Sequence, residues 1–397
     1  MGLTDIAEAA RAADVTAFCS KSGSRRPFCR CKVYFTRDNT VLSKTLPPPA
    51  KARGGGSVYV LLHFCIDGAF RGTLRKTRKG SHAMPERLVI ALGGNALQSK
   101  DSAPTAEAQL EVVRQTARHI AEISGRGYEM AVVHGNGPQV GRILLAGETA
   151  REVVPPMPFD VCGAMSQGYI GYHIQQALKY ALSARNRNCP VVSITTQVVV
   201  DRNDPAFQNP TKPIGGFCSK EEAERLEREK GYVMREDAGR GWRRVVASPL
   251  PRRIVEIGAV RLLWDHAIVI TCGGGGIPVV ENPNGTLEGV AAVIDKDFAA
   301  ELLAEEVGAD ALLILTEVEK VAVNWGKPNQ RDLDHLSLAE AARYVEEGQF
   351  GVGSMLPKVE AAMKFVRANP GKRAIITSLD KSVDALEGKT GTVITFA

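Results

Sequence analysis

The chain has 397 residues, of which 44% are hydrophobic and 24% charged, as is ordinary for a globular protein. No apolar run reaches the roughly 18 residues that a membrane-spanning helix needs, so we expect no membrane partner. Residues 1–83 hold 15 Lys or Arg and 5 Asp or Glu, an excess larger than the net charge of +6 of the whole chain. The remaining residues are therefore acidic overall, and we expect no nucleic-acid partner for them.

Residues 1–83 differ from the rest of the sequence. They contain runs of three prolines and three glycines and four of the eight cysteines, and only Val58–Phe64 has a strand-like pattern. Residues 80–84 read Gly-Ser-His-Ala-Met, which resembles the remnant of an expression tag before a native start at Met84. Three interpretations remain open: a tag or fusion, an upstream region translated from a misplaced start, or a targeting segment, although its early acidic residues disfavour the last. We favour a non-native or poorly ordered segment, with a partner-binding or nucleic-acid-binding tail as the alternative.

Three apolar stretches that end in glycine are the strongest signal in the sequence. Their ends are Gly93-Gly94-Asn95, Gly135-Asn136-Gly137 and the four glycines 273–276. Continuous apolar runs of this length are typical of strands buried on both faces of a parallel sheet. Glycine after such a strand lets bare backbone N–H groups approach a ligand, and open α/β sheets bind ligands at this edge. The pattern predicts one shared anionic site lined by backbone amides.

Two lysines in predicted first helical turns support an anionic ligand. Lys296 comes just before or within one helix, and Lys358 follows Pro357, a residue suited to a helix start. The helix macrodipole disfavours cations there, so a shared anion explains both lysines better than chance does. Asp295 and Asp297 either hold the Lys296 ammonium or help to bind a metal. The sequence lacks a Walker motif, and Gly135-x-Gly137-x-x-x-Gly141 is one residue too long for a dinucleotide fingerprint.

The alternation of strands and helices predicts a three-layer α/β/α sandwich with a mostly parallel central sheet. The predicted strands are Arg87–Leu92, Glu129–His134, Val191–Val200, Asp310–Thr316, Arg373–Thr377 and Gly391–Phe396. The predicted helices are Ala106–Ser124, Met165–Ala184, Ala299–Val307, Leu338–Glu347 and Lys358–Ala368. Residues 204–249 interrupt this alternation with a capping box at Ser219, a charged helix and a hairpin, so we expect a small inserted, protruding subdomain there.

Residues 84–397 resemble the carbamate kinases of the amino-acid-kinase superfamily. The motifs that carry the resemblance are Ile-Ala-Leu-Gly-Gly-Asn-Ala at 90–96, Gly-Asn-Gly-Pro-Gln-Val-Gly at 135–141, Cys-Gly-Ala-Met-Ser-Gln-Gly at 162–168, Asn-Pro-Thr-Lys-Pro at 209–213, Arg-Glu-Asp-Ala-Gly-Arg-Gly-Trp-Arg at 235–243, Ser-Pro at 248–249, Val-Ile-Asp-Lys-Asp at 293–297 and Gly-Ser-Met-Leu-Pro-Lys-Val at 353–359. Asn-Pro-Thr-Lys-Pro and the Gly-Arg-Gly-Trp at 239–242 separate carbamate kinases from acetylglutamate, aspartate and uridylate kinases.

The resemblance implies the amino-acid-kinase fold and reversible phosphoryl transfer between ATP and carbamate, with Mg²⁺ as cofactor. It also implies a cytoplasmic homodimer, and a plausible role is making ATP from ADP and carbamoyl phosphate in arginine catabolism, by the arginine deiminase pathway. Because phosphoryl transfer depends mainly on positioning and charge, no covalent nucleophile is needed. We expect Mg²⁺ to lie on nucleotide oxygens, with no dedicated set of protein metal ligands.

Each candidate site residue then has an expected role. By resemblance Lys212 covers the acceptor from the inserted subdomain, while Lys296 and Lys358 neutralise phosphate charge and Asp297 orients these lysines. The expected substrate- and phosphate-binding residues are Gly93, Gly94, Asn95, Gly135, Asn136, Gly137, Gly274 and Gly275. The resemblance places the nucleotide near Thr316, Gly353, Ser354 and Met355.

Some alternatives stay open at this point. A nicotinamide-dependent oxidoreductase would need the fingerprint that is missing, and a non-catalytic binding protein would share the glycine turns but make no ATP. His134 either approaches the ligand or has a structural role at the end of its strand. Lys220 and Lys364 lie on charged helix faces, where we expect no catalytic role.

Overall fold

The computed structural model describes residues 85–99, 103–237 and 239–397, and the backbone of residues 12–15 and 31–34. The chain divides into two compact units, Met1–Ser81 and His82–Ala397. In the first unit, strands β1 (Ala12–Val15) and β2 (Cys31–Tyr34) pair antiparallel. The strand predicted at Val58–Phe64 lies outside the described residues, as does most of the extension whose order was in question.

The second unit contains seventeen strands and nine α-helices in its described residues. The strands are β3 (Arg87–Leu92), β4 (Glu129–His134), β5 (Val191–Ser193), β6 (Gln197–Val200), β7 (Lys212–Cys218), β8 (Val233–Glu236), β9 (Trp242–Val246), β10 (Pro251–Ile254), β11 (Ile268–Ile270), β12 (Ile277–Glu281), β13 (Leu287–Gly289), β14 (Ala311–Thr316), β15 (Val321–Val323), β16 (Arg331–Leu333), β17 (His335–Ser337), β18 (Arg373–Ser378) and β19 (Thr392–Thr395). The helices are α1 (Ala106–Gly125), α2 (Gln139–Thr149), α3 (Phe159–Ser183), α4 (Lys220–Lys230), α5 (Ile257–Trp264), α6 (Lys296–Val307), α7 (Leu338–Glu346), α8 (Leu356–Ala368) and α9 (Ser382–Leu386).

The main sheet has eight strands in the order β17-β19-β18-β14-β3-β4-β11-β5. The six strands from β18 to β5 are parallel, while β19 pairs antiparallel with β18 and carries β17 beside it. The carboxyl ends of β3, β4 and β14 therefore meet at one edge of the sheet. This edge is where the sequence predicts the ligand.

Side chains of the central strands alternate between two cores. On β3, Leu88 and Ile90 pack with residues of α1 and α3 on one face, whereas Val89 and Ala91 pack with residues of α6 and α8 on the other. Because both faces of the strand are buried, its sequence is continuously apolar. Helices on both faces of a mostly parallel sheet confirm the predicted α/β/α sandwich.

One strand prediction is wrong. Residues 191–200 were expected to form one strand, but β5 belongs to the main sheet and β6 to a second sheet with the order β10-β6-β12-β13. Between them, the Gln167 side chain accepts from Thr196 N at 2.8 Å and donates to Thr196 O at 2.9 Å. These side-chain bonds satisfy the backbone where the strand would have continued, so the chain leaves one sheet for the other.

Four helices differ from prediction: α5 and α9 were not predicted at all, and α2 and α3 differ as follows. Helix α3 begins at Phe159, after Pro158, rather than at Met165. Helix α2 was not predicted, because the glycines and the proline before Gln139 resemble a loop and hide its start. The long apolar elements, whose periodicity is strongest, have the predicted bounds to within a few residues.

The segment that interrupts the alternation forms its own antiparallel sheet, β7-β9-β8, with α4 beside it. The Ser219 hydroxyl accepts from Glu222 N and caps α4 as predicted, but the Glu222 carboxylate accepts from Arg225 instead of completing the predicted capping box. Ile214 and Val246 of this sheet pack against Val140 and Phe159 of the main body. None of the helices described is long and apolar enough to cross a membrane.

Candidate active site

A cavity of about 440 Å³ lies where the carboxyl ends of the central strands meet the first turns of α6 and α8 and strand β7. It brings together eleven of the predicted site residues from distant parts of the sequence. They are Gly94, Gly135, Asn136, Gly137, Lys212, Gly274, Lys296, Asp297, Gly353, Ser354 and Lys358. Cations and glycine backbone thus share one concave surface, as the sequence predicts.

Five predicted site residues do not line this cavity: Gly93, Asn95, Gly275, Thr316 and Met355. A Cβ on Gly93 would lie 3.0 Å from Leu315 O, so this glycine allows close packing of β3 on β14. Gly275 has φ +90°, and a Cβ there would overlap Ile294 O. Met355 precedes α8 and packs against the core. Asn95 lies in the turn after β3 and Thr316 is the last residue of β14, and neither lines the cavity.

Asp297 connects two of the lysines. Its carboxylate is almost completely buried and accepts from Lys296 Nζ at 2.7 Å and from Lys358 Nζ at 3.3 Å. Lys358 Nζ also donates to Ser354 O at 3.0 Å. Both lysines lie in first helical turns, as predicted. Two ammonium groups around one carboxylate leave a net positive charge that favours an anion.

The electrostatics of Lys358 show this excess of positive charge. Burial lowers the pKa of Lys358, the nearby Lys296 charge lowers it further, and Asp297 opposes both effects. The charged form of Lys358 is therefore less stable than that of a lysine in water. An anion bound in the cavity would stabilise it.

Asp295 holds a third lysine. Its carboxylate accepts from Lys212 Nζ at 2.7 Å, and its second oxygen accepts from Asp297 N at 2.9 Å and caps α6. Burial acts to raise the pKa of Asp295, but the charges of Lys212 and Lys296 outweigh it and lower the pKa to about 2. The sequence suggested Lys296 as the partner of Asp295; the hydrogen bond instead goes to Lys212, across the boundary between β7 and α6.

Sequence reasoning missed a fourth cation, Arg243 of β9, which also lines the cavity. Its guanidinium donates to Gly215 O at 3.0 Å and to Asp237 at 3.2 Å, and lies 5.0 Å from the centre of the Phe217 ring. Arg243 is the last residue of the Arg-Glu-Asp-Ala-Gly-Arg-Gly-Trp-Arg motif at 235–243, and this membership was the available signal.

His134 has a structural contact at the end of β4. Its Nδ1 lies 2.8 Å from Gly135 O, and the ring is buried. Burial lowers the pKa of His134 to about 4, so the imidazole is neutral at neutral pH. It does not line the cavity, and a neutral ring under the Gly135 turn fits the structural alternative.

No group of three or more His, Cys, Asp or Glu side chains that could hold a metal ion is found in the part of the chain that the structure describes. The two carboxylates of the cavity, Asp295 and Asp297, are each engaged by lysine. The four cysteines among the described residues, Cys162, Cys189, Cys218 and Cys272, form no disulfide bond.

Comparison with known proteins identifies the family. The model of the amino acid kinase family matches residues 86–378. Carbamate kinase of Clostridium perfringens is 58% identical over 312 residues, which are 78% of this chain and 99% of that protein. Carbamate kinase of Pyrococcus horikoshii is 55% identical over 315 residues, 79% of this chain and 100% of that protein. The structure of carbamate kinase from Giardia lamblia bound to AMP-PNP has a TM-score of 0.74 and 45% identity, covering 78% of this chain and 98% of that one. The motif resemblance is thereby confirmed: the chain is a kinase that belongs to the amino acid kinase family and, within it, to the carbamate kinases.

Proposed function

We propose that the enzyme transfers a phosphoryl group reversibly between ATP and carbamate, with Mg²⁺ as cofactor. One observation carries the proposal: the Asp297 carboxylate holds Lys296 and Lys358 together at a cavity whose other walls include the glycine turns of β3 and β4. This arrangement provides fixed positive charge on one side and bare backbone N–H groups on another. The names of the relatives support ATP and carbamate as the substrates.

The mechanism rests on positioning and charge. The transferred phosphoryl group carries negative charge on its oxygens, and preorganised donors stabilise this charge as it develops. Lys296 and Lys358 meet the phosphate oxygens, and Asp297 fixes the direction of both ammonium groups. Backbone amides near Gly94 and Gly135 hold the acceptor end, and Lys212 covers the acceptor and excludes water. Gly353 and Ser354, next to Lys358, border the nucleotide.

The chain's own residues fit a metal carried by the nucleotide better than a metal held by the protein. Asp295 and Asp297 already balance lysine charges, so neither is free to bind a cation. Mg²⁺ is commonly held by substrate phosphates and water with few protein ligands. When bound, it would neutralise part of the phosphate charge, and the lysines would neutralise the rest.

We also propose a homodimer that works in the cytoplasm and makes ATP from carbamoyl phosphate during arginine catabolism, by the arginine deiminase pathway. Met165, Tyr172 and Tyr180 follow one another along α3 at intervals of two turns, and their exposed fractions are 47%, 58% and 74%. An exposed apolar row of this kind favours a protein partner. Light scattering of the purified chain measures its mass directly, and a monomeric mass at micromolar concentration would exclude the dimer.

The activity is tested by ATP formation from ADP and carbamoyl phosphate, with and without Mg²⁺. Acetylglutamate, aspartate and UMP serve as alternative acceptors with ATP. We expect Mg²⁺-dependent ATP formation and no turnover of the other acceptors. Folded protein that forms no ATP would exclude the proposed reaction. Stabilisation by NAD rather than ADP would favour an oxidoreductase.

A further inference from the structure

Ser166 of α3 lies behind the wall of the cavity, where it contacts Asn136. The proposed mechanism gives Ser166 no role. The side chain is completely buried, yet its hydroxyl oxygen lies 2.7 Å from Asn136 Oδ1. Asn136 lines the cavity, whereas Ser166 does not. The hydroxyl therefore acts on the cavity only through the Asn136 amide.

The chemistry of the amide decides which way it faces. A side-chain amide has one accepting oxygen and one donating nitrogen. In the structure Oδ1 faces the Ser166 hydroxyl, and among the described residues Asn136 Nδ2 has no acceptor. The Ser166 hydroxyl has a single proton and lies 2.7 Å from both Asn136 Oδ1 and Gly163 O. If the hydroxyl donated to Gly163 O, its oxygen could only accept from Asn136, and the amide would turn its nitrogen to Ser166. The amide oxygen would then face the cavity. There it would repel the anion that the lysines attract.

The surrounding backbone limits other positions of Asn136. Gly274 has φ +69°, and a Cβ at this position would overlap Asn136 Oδ1. The amide oxygen thus occupies the space that a glycine leaves open. Gln167, the neighbour of Ser166, holds Thr196, whose hydroxyl accepts from Cys272 N at 3.0 Å immediately before the 273–276 turn. Two consecutive residues of α3 therefore support the glycine turns at 135–137 and 273–276.

We propose that Ser166 is a positioning residue that fixes the Asn136 amide so that Nδ2 donates to an anionic oxygen of the acceptor. The inference deepens the proposed function and rests on it. Ser166 does not touch the substrate. It makes the amide a preorganised donor, which a freely rotating asparagine would not be.

The test compares Ser166→Ala with the wild-type enzyme in ATP formation from ADP and carbamoyl phosphate. Hydrogen bonds to charged groups account for roughly 10- to 100-fold in rate or affinity, so we expect kcat/KM for carbamoyl phosphate to fall by about that factor. The KM for ADP should stay the same. Ser166→Cys keeps the shape of the side chain with a somewhat larger atom and a weaker donor, and it should give an intermediate loss. Ser124→Ala removes another buried serine hydroxyl, on α1, and is the matched control.

A double-mutant cycle separates positioning from packing. If Ser166 acts through Asn136, adding Ser166→Ala to Asn136→Ala should cause no further loss in kcat/KM. Losses that multiply, or a Ser166→Ala enzyme with unchanged carbamoyl phosphate kinetics, would overturn the inference. An equal rise of KM for ADP and for carbamoyl phosphate would also overturn it, because it would indicate a general disturbance of the fold. A wild-type enzyme that makes no ATP would refute the proposed function instead, so the two failures are distinct.

Discussion

The main body and the β7-β9-β8 sheet place their lysines in the cavity in different ways. Lys296 and Lys358 come from helices packed on the main core, their side chains are 13% and 14% exposed, and they share a carboxylate that is 2% exposed. Lys212 comes from β7, its side chain is 36% exposed, and its partner Asp295 belongs to the other region. The first two lysines are fixed within one rigid framework, whereas the third depends on how two regions meet.

This difference in burial suits two different tasks within one site, stabilising the transferred phosphoryl group and covering the acceptor. Charge that must be in place when the phosphoryl group moves is best held by buried, packed elements, because donors that need no reorganisation stabilise the transition state most. A cation that covers the acceptor must let it enter and leave, and a half-exposed lysine on a separate sheet suits this role. Substitutions should therefore affect different kinetic parameters in the two regions.

The largest effect is expected at the buried pair. Removing one preorganised donor of this type costs roughly 10²–10³ in turnover, so Lys296→Ala and Lys358→Ala should each lower kcat by about that factor or more. The KM values for both substrates should change less, because the contact is strongest with the charge that develops during transfer. Steady-state kinetics with melting curves for each variant would measure this. A loss confined to KM would contradict the role of these lysines.

The control for this experiment needs a lysine without a buried partner. Lys220 opens α4 on an exposed surface, and Lys220→Ala should leave kcat within about twofold of wild type. Lys364 is unsuitable, although the sequence suggested it, because its ammonium pairs with the fully buried Glu301 at 2.5 Å. Lys364→Ala would leave that carboxylate without its partner and destabilise the fold, so a loss of activity there would not concern catalysis.

The next largest effect is expected at Lys212. Because the role we propose for Lys212 is to cover the acceptor, Lys212→Ala should lower kcat/KM for carbamoyl phosphate, by about 10- to 100-fold if the lost contact is an ordinary charged hydrogen bond. ADP affinity, measured by calorimetry, should change little. Weaker ADP binding with normal kinetics for carbamoyl phosphate would assign Lys212 to the nucleotide instead.

A smaller effect, on stability, tests the link between the two regions. The pKa of Asp295 is lowered to about 2 from 3.8, so its pairing stabilises the fold above the unfolded pKa and is lost as pH falls through 2. Asp295→Asn keeps the helix cap but removes the charge, and should lower the free energy of unfolding at neutral pH by about 1–2 kcal/mol. Urea unfolding at several pH values would measure it. The difference between variant and wild type should shrink below about pH 4, and a difference independent of pH would contradict the ion pair.

The main sheet and the edge of it that borders the cavity could be predicted because each depends on local sequence. Strand β3 is apolar from Leu88 to Leu92 and is followed by Gly93, and Lys296 follows a capping Asp295, so a short stretch of sequence contains each signal. The split of residues 191–200 could not be predicted, because it depends on the Gln167 side chain about 30 residues away in sequence. The same holds for the pairing of Lys212 with Asp295, which are joined only when β7 folds over α6.

The Ser166–Asn136 contact is a second example of a feature that the sequence does not predict. Both residues belong to motifs that were recognised, yet a motif does not show that two of its members touch across 30 residues. The sequence shows which residues have side chains that could bind or react with a ligand. The hydrogen bonds that orient them depend on the fold and were visible only in the structure.

The smallest effect is expected from residues 1–83. All the elements of the main sheet and every residue of the cavity lie in the unit His82–Ala397, so a chain that begins at Met84 contains the complete site. Such a chain should fold and keep its kcat within about twofold, the range of changes outside the core and the site. Melting curves and kinetics of the two chains, measured in parallel at low and high salt, would test this.

Loss of soluble folding, or a sharp fall in kcat, would show that the extension is part of the enzyme. Salt-sensitive binding of nucleic acid by the full chain alone would instead support a basic binding tail, because phosphate contacts weaken as counterions are added.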